Sequence, residues 1–434
     1  MIWDPEHECA DRAELARLQL ERLRAVVTRL YARVSFYRQR LAGAGLDPEA
    51  ISTLEDLRRL PLTGKDDLRR LYPFGLFATD PGEHVELHCS SGTTGTATLV
   101  GYTRADLEVW AEVMARTLAA GGVRPGDLVH NAYGYGLFTG GLGFHYGALR
   151  LGTCVLPISS GQTSRQVRLL RELGATVLAC TPSYALHLAE AVEEAGVGPL
   201  PLRVGLLGAE PWSEGMRAEI ERRLGLAAVD VYGLSEVIGP GVACECAEGR
   251  QGLHINEDHF LAEVVDPDSG EVLPEGETGE LVLSTLTKEA TPLLRYRTGD
   301  LTALTREPCR CGRSFARMAR VRGRVDDMLV VRGVNVFPAD VEALLTSFGE
   351  LAPAYQLIVD RHRALDELEV QVEAREWVTP AAAESLGTRV AVAIRDQLGL
   401  RARVTVLPPK HLPRSEGKAL RVVDRRGLKE GARR

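Results

Sequence analysis

Ser90-Ser91-Gly92-Thr93-Thr94-Gly95-Thr96-Ala97-Thr98 is a run of hydroxyls and glycines without one bulky side chain. Such a loop brings backbone N–H groups and several O–H donors up to a polyphosphate. It is not a Walker A loop, which needs a Lys-Ser/Thr pair opening a helix; no lysine stands here. Upstream, His84-Val85-Glu86-Leu87-His88-Cys89 alternates with period 2, and downstream Thr98-Leu99-Val100-Gly101-Tyr102 also reads as a strand. The loop therefore joins two strands. Taken alone, it reads equally as a solvated hairpin turn.

Further along, apolar runs at 128–132, 153–158, 176–179 and 204–207 alternate with helical stretches such as 163–173 and 182–195. This alternation predicts βαβ units and a largely parallel sheet. Thr103 is placed to cap the helix that follows the loop. Leu15, Leu18, Leu23, Val26, Val27, Leu30, Val34 and Leu41 recur at helical spacing, which predicts one long amphipathic helix over 11–41. The region 261–304 is hairpin-rich, with turns at 266–270 and 274–279, and predicts an antiparallel β subdomain. After Arg324 come strands near 328–331, 354–359, 368–373 and 403–406, with helices near 339–347 and 381–397. The predicted fold class is α/β. A large N-terminal domain, 1–325, has mainly parallel sheets and the β subdomain; a small α+β C-terminal domain covers 326–434.

Composition narrows the function. The 434 residues allow about two to four domains. Apolar content of 45% and charged content of 26% are ordinary for a globular enzyme. A formal charge of −7 gives no general pull toward nucleic acid or an anionic membrane. No apolar run approaches the ~18 residues needed to span a bilayer. Met1-Ile2-Trp3-Asp4-Pro5-Glu6 has neither the basic stretch nor the apolar core of a signal peptide, so a cytoplasmic protein with reduced thiols is expected. Of eight cysteines, Cys9, Cys89, Cys154 and Cys180 are dispersed, whereas Cys244, Cys246, Cys309 and Cys311 form two C-x-C pairs. Cys246, His254, Cys309 and Cys311 make a Cys₃His set of the kind that holds structural zinc, with Cys244 and His259 as substitutes. Free thiols in a reducing compartment are the plainer alternative.

Tyr232-Gly233-Leu234-Ser235-Glu236, Tyr296-Arg297-Thr298-Gly299-Asp300, Gly323-Arg324-Val325-Asp326-Asp327 and Pro413-Arg414-Ser415-Glu416-Gly417-Lys418 follow the hydroxyl-rich loop in that order. The set resembles the adenylate-forming superfamily of acyl-CoA synthetases and peptide-synthetase adenylation domains. A finer resemblance, to phenylacetate–CoA ligases, rests on four further stretches. They are Asn131-Ala132-Tyr133-Gly134-Tyr135-Gly136-Leu137-Phe138-Thr139-Gly140-Gly141, Gly161-Gln162-Thr163, Val237-Ile238-Gly239-Pro240-Gly241-Val242-Ala243 and Arg332-Gly333-Val334-Asn335-Val336-Phe337-Pro338. It runs from about Trp3 to about Asp424.

The resemblance implies ATP-dependent activation of an aryl acid, benzoate-like or phenylacetate-like, to acyl-AMP, followed by transfer to CoA. The chemistry is then mostly positioning and charge neutralisation. Ser90, Ser91, Gly92, Thr93, Thr94 and Gly95 would cradle phosphate, with Thr96 and Ala97 where the family commonly has lysine and proline. Glu236 would hold Mg²⁺. Tyr232, with Gly233 and Ser235, would stack near adenine. Gly208, Ala209, Glu210 and Pro211 would line the adenine and acyl site. Asp300 would accept from the ribose hydroxyls, and Arg324 would reach the nucleotide; ion pairing with Arg295 or Arg297 is the plainer role for Asp300. Lys418 would bridge carboxylate and α-phosphate from a mobile domain pivoting at Asp326. Val331, Arg332, Gly333 and Asn335 would line the CoA thiol channel. Tyr135, Phe138, Phe144, Val237, Ile238, Gly239 and Pro240, with Gly208, would build the acyl pocket. The family usually has a small residue at the Phe144 position. A ring there removes on the order of 100 Å³ from a pocket of roughly 300 Å³ or more, which favours a benzoate-like acid. The alternative acceptors are a free carrier protein or an amine, or the enzyme activates another oxyanion without CoA. A homodimer is implied by resemblance alone.

Overall fold

The strands that flank the hydroxyl-rich loop pair antiparallel: β1 (Glu86–Cys89) lies beside β2 (Leu99–Tyr102), with Cys89 opposite Leu99. The computed structural model describes residues 1–89, 98–137, 139–332, 334–362, 365–417 and 419–426. Ser90, Ser91, Gly92, Thr93, Thr94, Gly95, Thr96, Ala97, Phe138, Gly333 and Lys418 therefore lie outside the described residues. Thr103 caps the helix Arg104–Ala120 as expected. Its hydroxyl accepts from the Asp106 N–H at 3.1 Å, and the Asp106 carboxylate accepts from the Thr103 N–H at 2.9 Å.

The chain divides into two units. One comprises Met1–Cys180, Val197–Ala209 and Gly225–Arg320; the other comprises Thr181–Gly196, Glu210–Leu224 and Val321–Arg434. The first unit is built on β3 (Leu128–Asn131), β4 (Cys154–Leu156), β5 (Val177–Cys180), β6 (Val204–Gly208), β7 (Ala227–Leu234), β8 (Gly239–Glu245) and β9 (Leu253–Ile255). With β13 (Leu304–Thr305) and β14 (Arg317–Met318) they form one sheet in the order β13-β14-β9-β8-β7-β6-β5-β3-β4. The run β4-β3-β5-β6-β7 is parallel, and the strands beyond β7 are antiparallel. β5 and β6 are buried along their whole length, as a sheet covered on both faces requires. β10 (Phe260–Val265), β11 (Gly279–Thr285) and β12 (Tyr296–Thr302) form the antiparallel β subdomain.

The expected single helix over 11–41 is two, Arg12–Arg33 and Ser35–Gly43. Val34 between them is extended, with φ −117 and ψ 107. The Arg38 guanidinium donates to the Tyr31 and Ala32 carbonyls and so closes the end of the first helix. The apolar period survives the break because Val34 itself is buried.

In the second unit Ala402–Leu407, Leu365–Ala374, Leu351–His362 and Val422–Asp424 form a mixed sheet in that order. Its core face carries Leu357, Val359, Leu368, Val370 and Val372, which pack with Leu386, Val390 and Ile394 of the helix Pro380–Leu398. A hairpin, Leu329–Val331 with Val334–Val336, precedes it. Among the described residues no helix is long and apolar enough to cross a membrane.

Two glycines hold the centre of the first sheet. A Cβ on Gly208 would sit 2.0 Å from the Val231 carbonyl oxygen, and one on Gly233 would sit 2.0 Å from that of Gly239. Gly208→Ala is expected to destabilise the protein by about 3 kcal/mol, since a strand carbonyl cannot swing away. An unchanged urea midpoint would show that the strands are not this close.

Candidate active site

The strand end Tyr232–Leu234 and the turn behind it set the site. The β7–β8 register shifts between Tyr232 and Gly233: Tyr232 lies opposite Ala243 and Gly233 opposite Pro240, so the extra residues, Gly241 and Val242, are on β8. The Tyr232 hydroxyl donates to Asp300 Oδ2 on β12 at 2.6 Å. Asp300 is itself steadied by its N–H bond to Thr298 Oγ1 at 3.0 Å. The neighbouring arginines have other carboxylates: Arg295 Nε donates to Glu263 at 3.0 Å and Arg297 Nε to Glu280 at 2.8 Å.

Ser235 Oγ lies 3.0 Å from Thr139 Oγ1, and Glu236 follows, 8% exposed. Lys65 Nζ stands 3.7 Å from Glu236 Oε1. Lys65 opens the short helix Lys65–Arg70. Sequence reasoning missed it, because a lone lysine carries no signal until the fold brings it to a distant carboxylate. Val237 and Ile238 are buried, with the Ile238 carbonyl accepting from the Tyr102 hydroxyl at 2.9 Å. Gly239 has φ +98, and the Pro240 carbonyl accepts from Trp110 Nε1 at 2.9 Å.

Tyr135 is placed by its N–H bond to Ser159 Oγ at 3.2 Å, and its hydroxyl accepts from Asn131 Nδ2 at 2.7 Å and lies 3.3 Å from His145 Nδ1. Burial pushes its phenol up to about 12. Phe144 is buried and lies flat on Tyr133, with centroids 4.9 Å apart and planes 10° apart. His88 links this region to β1. Its Nδ1 is 3.0 Å from the Leu137 carbonyl and its Nε2 is 2.5 Å from Glu86 Oε1. The same Leu137 carbonyl accepts from the Cys89 N–H at 3.2 Å.

Gly208 ends β6, and Ala209 has φ +71, an unusual conformation for a residue with a side chain. In the second unit, Glu210 accepts from the Ser183 and Ala419 N–H groups at 2.7 and 2.9 Å. Pro211 follows it in the chain. Arg324 forms a two-pronged pair with Asp326, Nε to Oδ1 at 2.8 Å and Nη2 to Oδ2 at 3.2 Å. Val331 is buried, whereas Arg332, with φ +52, and Asn335 are exposed around the hairpin turn.

The cysteine and histidine set converges. The ligand atoms of Cys246, His254, Cys309 and Cys311 lie within 4.8 Å of one another. The Cys246 and Cys309 sulfurs are 3.7 Å apart, and Cys311 Sγ is 3.4 Å from His254 Nε2. A tetrahedron with Zn–S bonds of ~2.3 Å and Zn–N of ~2.0 Å has edges of about 3.5–3.8 Å. His254 Nδ1 faces the Phe315 carbonyl at 3.4 Å, which turns Nε2 inward. The Gly249 N–H donates to Cys246 Sγ at 3.1 Å, and a Cβ on Gly249 would come within 2.9 Å of two sulfurs. Cys244 and His259 are not in the set: Cys244 packs beside it with Ala120 and Cys246, burial pushing its thiol up to about 12, and His259 Nδ1 is 2.9 Å from Thr287 Oγ1.

Residues 17–287 match the family model of AMP-binding enzymes, and residues 333–426 match that of the AMP-binding enzyme C-terminal domain. The phenylacetate-coenzyme A ligase of Thermus thermophilus is 53% identical over 440 aligned residues, covering 98% of this chain and 99% of that protein. That of Escherichia coli is 48% identical, covering 97% of each. The crystal structure of 2-hydroxyisobutyryl-CoA ligase with 2-HIB-AMP superposes with a TM-score of 0.92 at 31% identity, covering 97% of this chain and 91% of that one. For an AMP-binding enzyme the Tyr232–Asp300 bond makes a direct prediction. Tyr232→Phe keeps the ring and deletes the hydroxyl, so ATP affinity measured by calorimetry should fall about tenfold. Unchanged affinity would separate the carboxylate's setting from the tyrosine.

Proposed function

The chain belongs to the phenylacetate–CoA ligase family of adenylate-forming enzymes, and from that premise we propose which of its own residues carry each step. The enzyme activates a carboxylic acid with ATP to acyl-AMP, releasing pyrophosphate, and passes the acyl group to CoA, releasing AMP. The observation that carries the assignment of residues is the bond from Tyr232, near the end of β7, to Asp300 on β12, with Glu236 four residues on from Tyr232 and paired with Lys65.

Tyr232 stacks on adenine while Asp300 accepts the ribose hydroxyls. Arg324 adds a cation to the nucleotide. The loop Ser90–Gly95 wraps the phosphates. Glu236, a single buried carboxylate, suits Mg²⁺, which takes one or two carboxylates plus phosphate oxygens; the ion would neutralise phosphate charge. Lys65, beside Glu236, supplies the cation that Thr96 does not. Lys418 draws the acid's carboxylate and the α-phosphate together during adenylation. The domain 326–434 then pivots at Asp326, and the hairpin with Val331, Arg332, Gly333 and Asn335 lines the thiol path.

The acid binds against Tyr135, Phe138, Val237, Ile238, Gly239 and Pro240. The Phe144 ring rests on Tyr133, and this packing, with two phenylacetate ligases as near full-length relatives, supports a phenylacetate-type acid over the benzoate preference drawn from ring volume. The test is pyrophosphate release and product mass over a panel of acids, with and without CoA. Phenylacetate should give its CoA thioester with kcat/KM at least ~10-fold above benzoate, the value of one methylene in an apolar pocket. Acyl-AMP accumulating in the presence of CoA would overturn the acceptor, and a benzoate preference would overturn the acid.

Cys246, His254, Cys309 and Cys311 hold a structural zinc, with no position left for substrate. Purified protein should contain about one zinc per chain, and a strong chelator should lower the thermal midpoint by on the order of 5 °C. Far less than one zinc in protein never exposed to chelator would rule the site out.

A further inference from the structure

Both chain neighbours of Lys418 are held by residues some two hundred positions away. The Gly417 carbonyl accepts from Thr181 Oγ1 at 3.0 Å. The Ala419 N–H donates to Glu210 Oε2 at 2.9 Å. Glu210 is fixed in turn, because its Oε1 accepts from the Ser183 N–H at 2.7 Å. Ser183 lies in the first turn of the helix Pro182–Glu194, where N–H groups lack helical partners and the helix end favours a carboxylate. Arg421 Nη2 donates to Ser183 Oγ at 3.2 Å, so the same helix end holds the chain again beyond Lys418.

We propose that Glu210 is a positioning residue for adenylation, a latch that seats the Lys418 loop. One oxygen is anchored on the helix end, and the other offers a charged acceptor to the peptide N–H next to the lysine. The bond is strong enough to hold a loop and weak enough to break when the lysine must leave. This inference rests on the reading that Lys418 acts in adenylation and is withdrawn for thioester formation.

The two half-reactions are measured separately: pyrophosphate release from ATP and acid, and thioester formation from supplied acyl-adenylate and CoA. Glu210→Ala should lower the adenylation kcat on the order of 10- to 100-fold, the range for a hydrogen bond to a charged group. The loss of adenylation kcat should exceed any loss in the thioester half-reaction by at least about tenfold. Glu210→Gln, which keeps one carbonyl oxygen, should fall between; if the alanine variant does not fold, the glutamine variant decides on the same criteria. Equal loss in both half-reactions, no loss in adenylation, or a raised KM for ATP with kcat intact would each overturn the latch. Lys418→Ala run alongside separates the two ideas. If it fails to split the half-reactions, the lysine's role is what has failed.

Discussion

One hydrogen bond, from the Tyr232 hydroxyl to an Asp300 carboxylate oxygen 2.6 Å away, ties the nine-stranded sheet to the antiparallel subdomain. An O–H donor on a carboxylate at this length is charge-assisted and directional, so it fixes the ring of one residue and the carboxylate plane of the other together. Next to the tyrosine, Gly233 is required, because a Cβ there would come 2.0 Å from the Gly239 carbonyl oxygen, so the close approach of β7 and β8 excludes a side chain beside this bond.

Charge is the second constraint. Bringing a carboxylate to a polyphosphate needs cations, yet Thr96 stands where the family commonly has lysine. Lys65 puts one 3.7 Å from Glu236. A second lysine lies beneath β2. Lys288 Nζ is 3.1 Å from the centroid of the Tyr102 ring and 3.9 Å from Asp106 Oδ2. Burial pulls it down to about 8, with Asp106 and Glu86 opposing that fall. Its amine has no hydrogen-bond partner among the described residues, so the ring face and the nearby carboxylates are what hold its charge. His88 stands nearby on β1, its ring between Glu86 and the Leu137 carbonyl. A buried lysine on Tyr102 and a buried histidine thus brace the two paired strands β2 and β1.

Much of this was legible in the sequence where local rules decide. The parallel strands announce themselves as short apolar runs, and Thr103 sits where its capping chemistry demands. What could not be read involves partners that sequence order hides. The helix break at Val34 leaves the apolar period intact and depends on Arg38 reaching back to two carbonyls. Lys65 meets Glu236, and Glu210 meets Ala419, only through the fold. Phe144 is the instructive case. Its volume was legible, but volume says nothing of direction, and the ring's resting place is set by Tyr133 from the preceding loop.

The cysteine cluster answers a different need. Arg306-Glu307-Pro308-Cys309-Arg310-Cys311-Gly312-Arg313 contains no large apolar side chain; Cys309 and Cys311 pack against Ala120, Cys244 and Cys246, a small core that gives the segment little hydrophobic burial. Yet Arg313 must be held, because its Nη2 donates to the Met1 carbonyl at 2.7 Å and its Nε pairs with buried Glu8. Glu8 in turn accepts from the Trp3 and Asp4 N–H groups at 2.8 Å each. A buried ion pair is costly if either partner strays. Ligand atoms drawn from β9, the end of β8 and this polar loop lie within 4.8 Å of one another, so the proposed zinc would fix the loop by coordination, and the first residues of the chain are anchored through its Arg313.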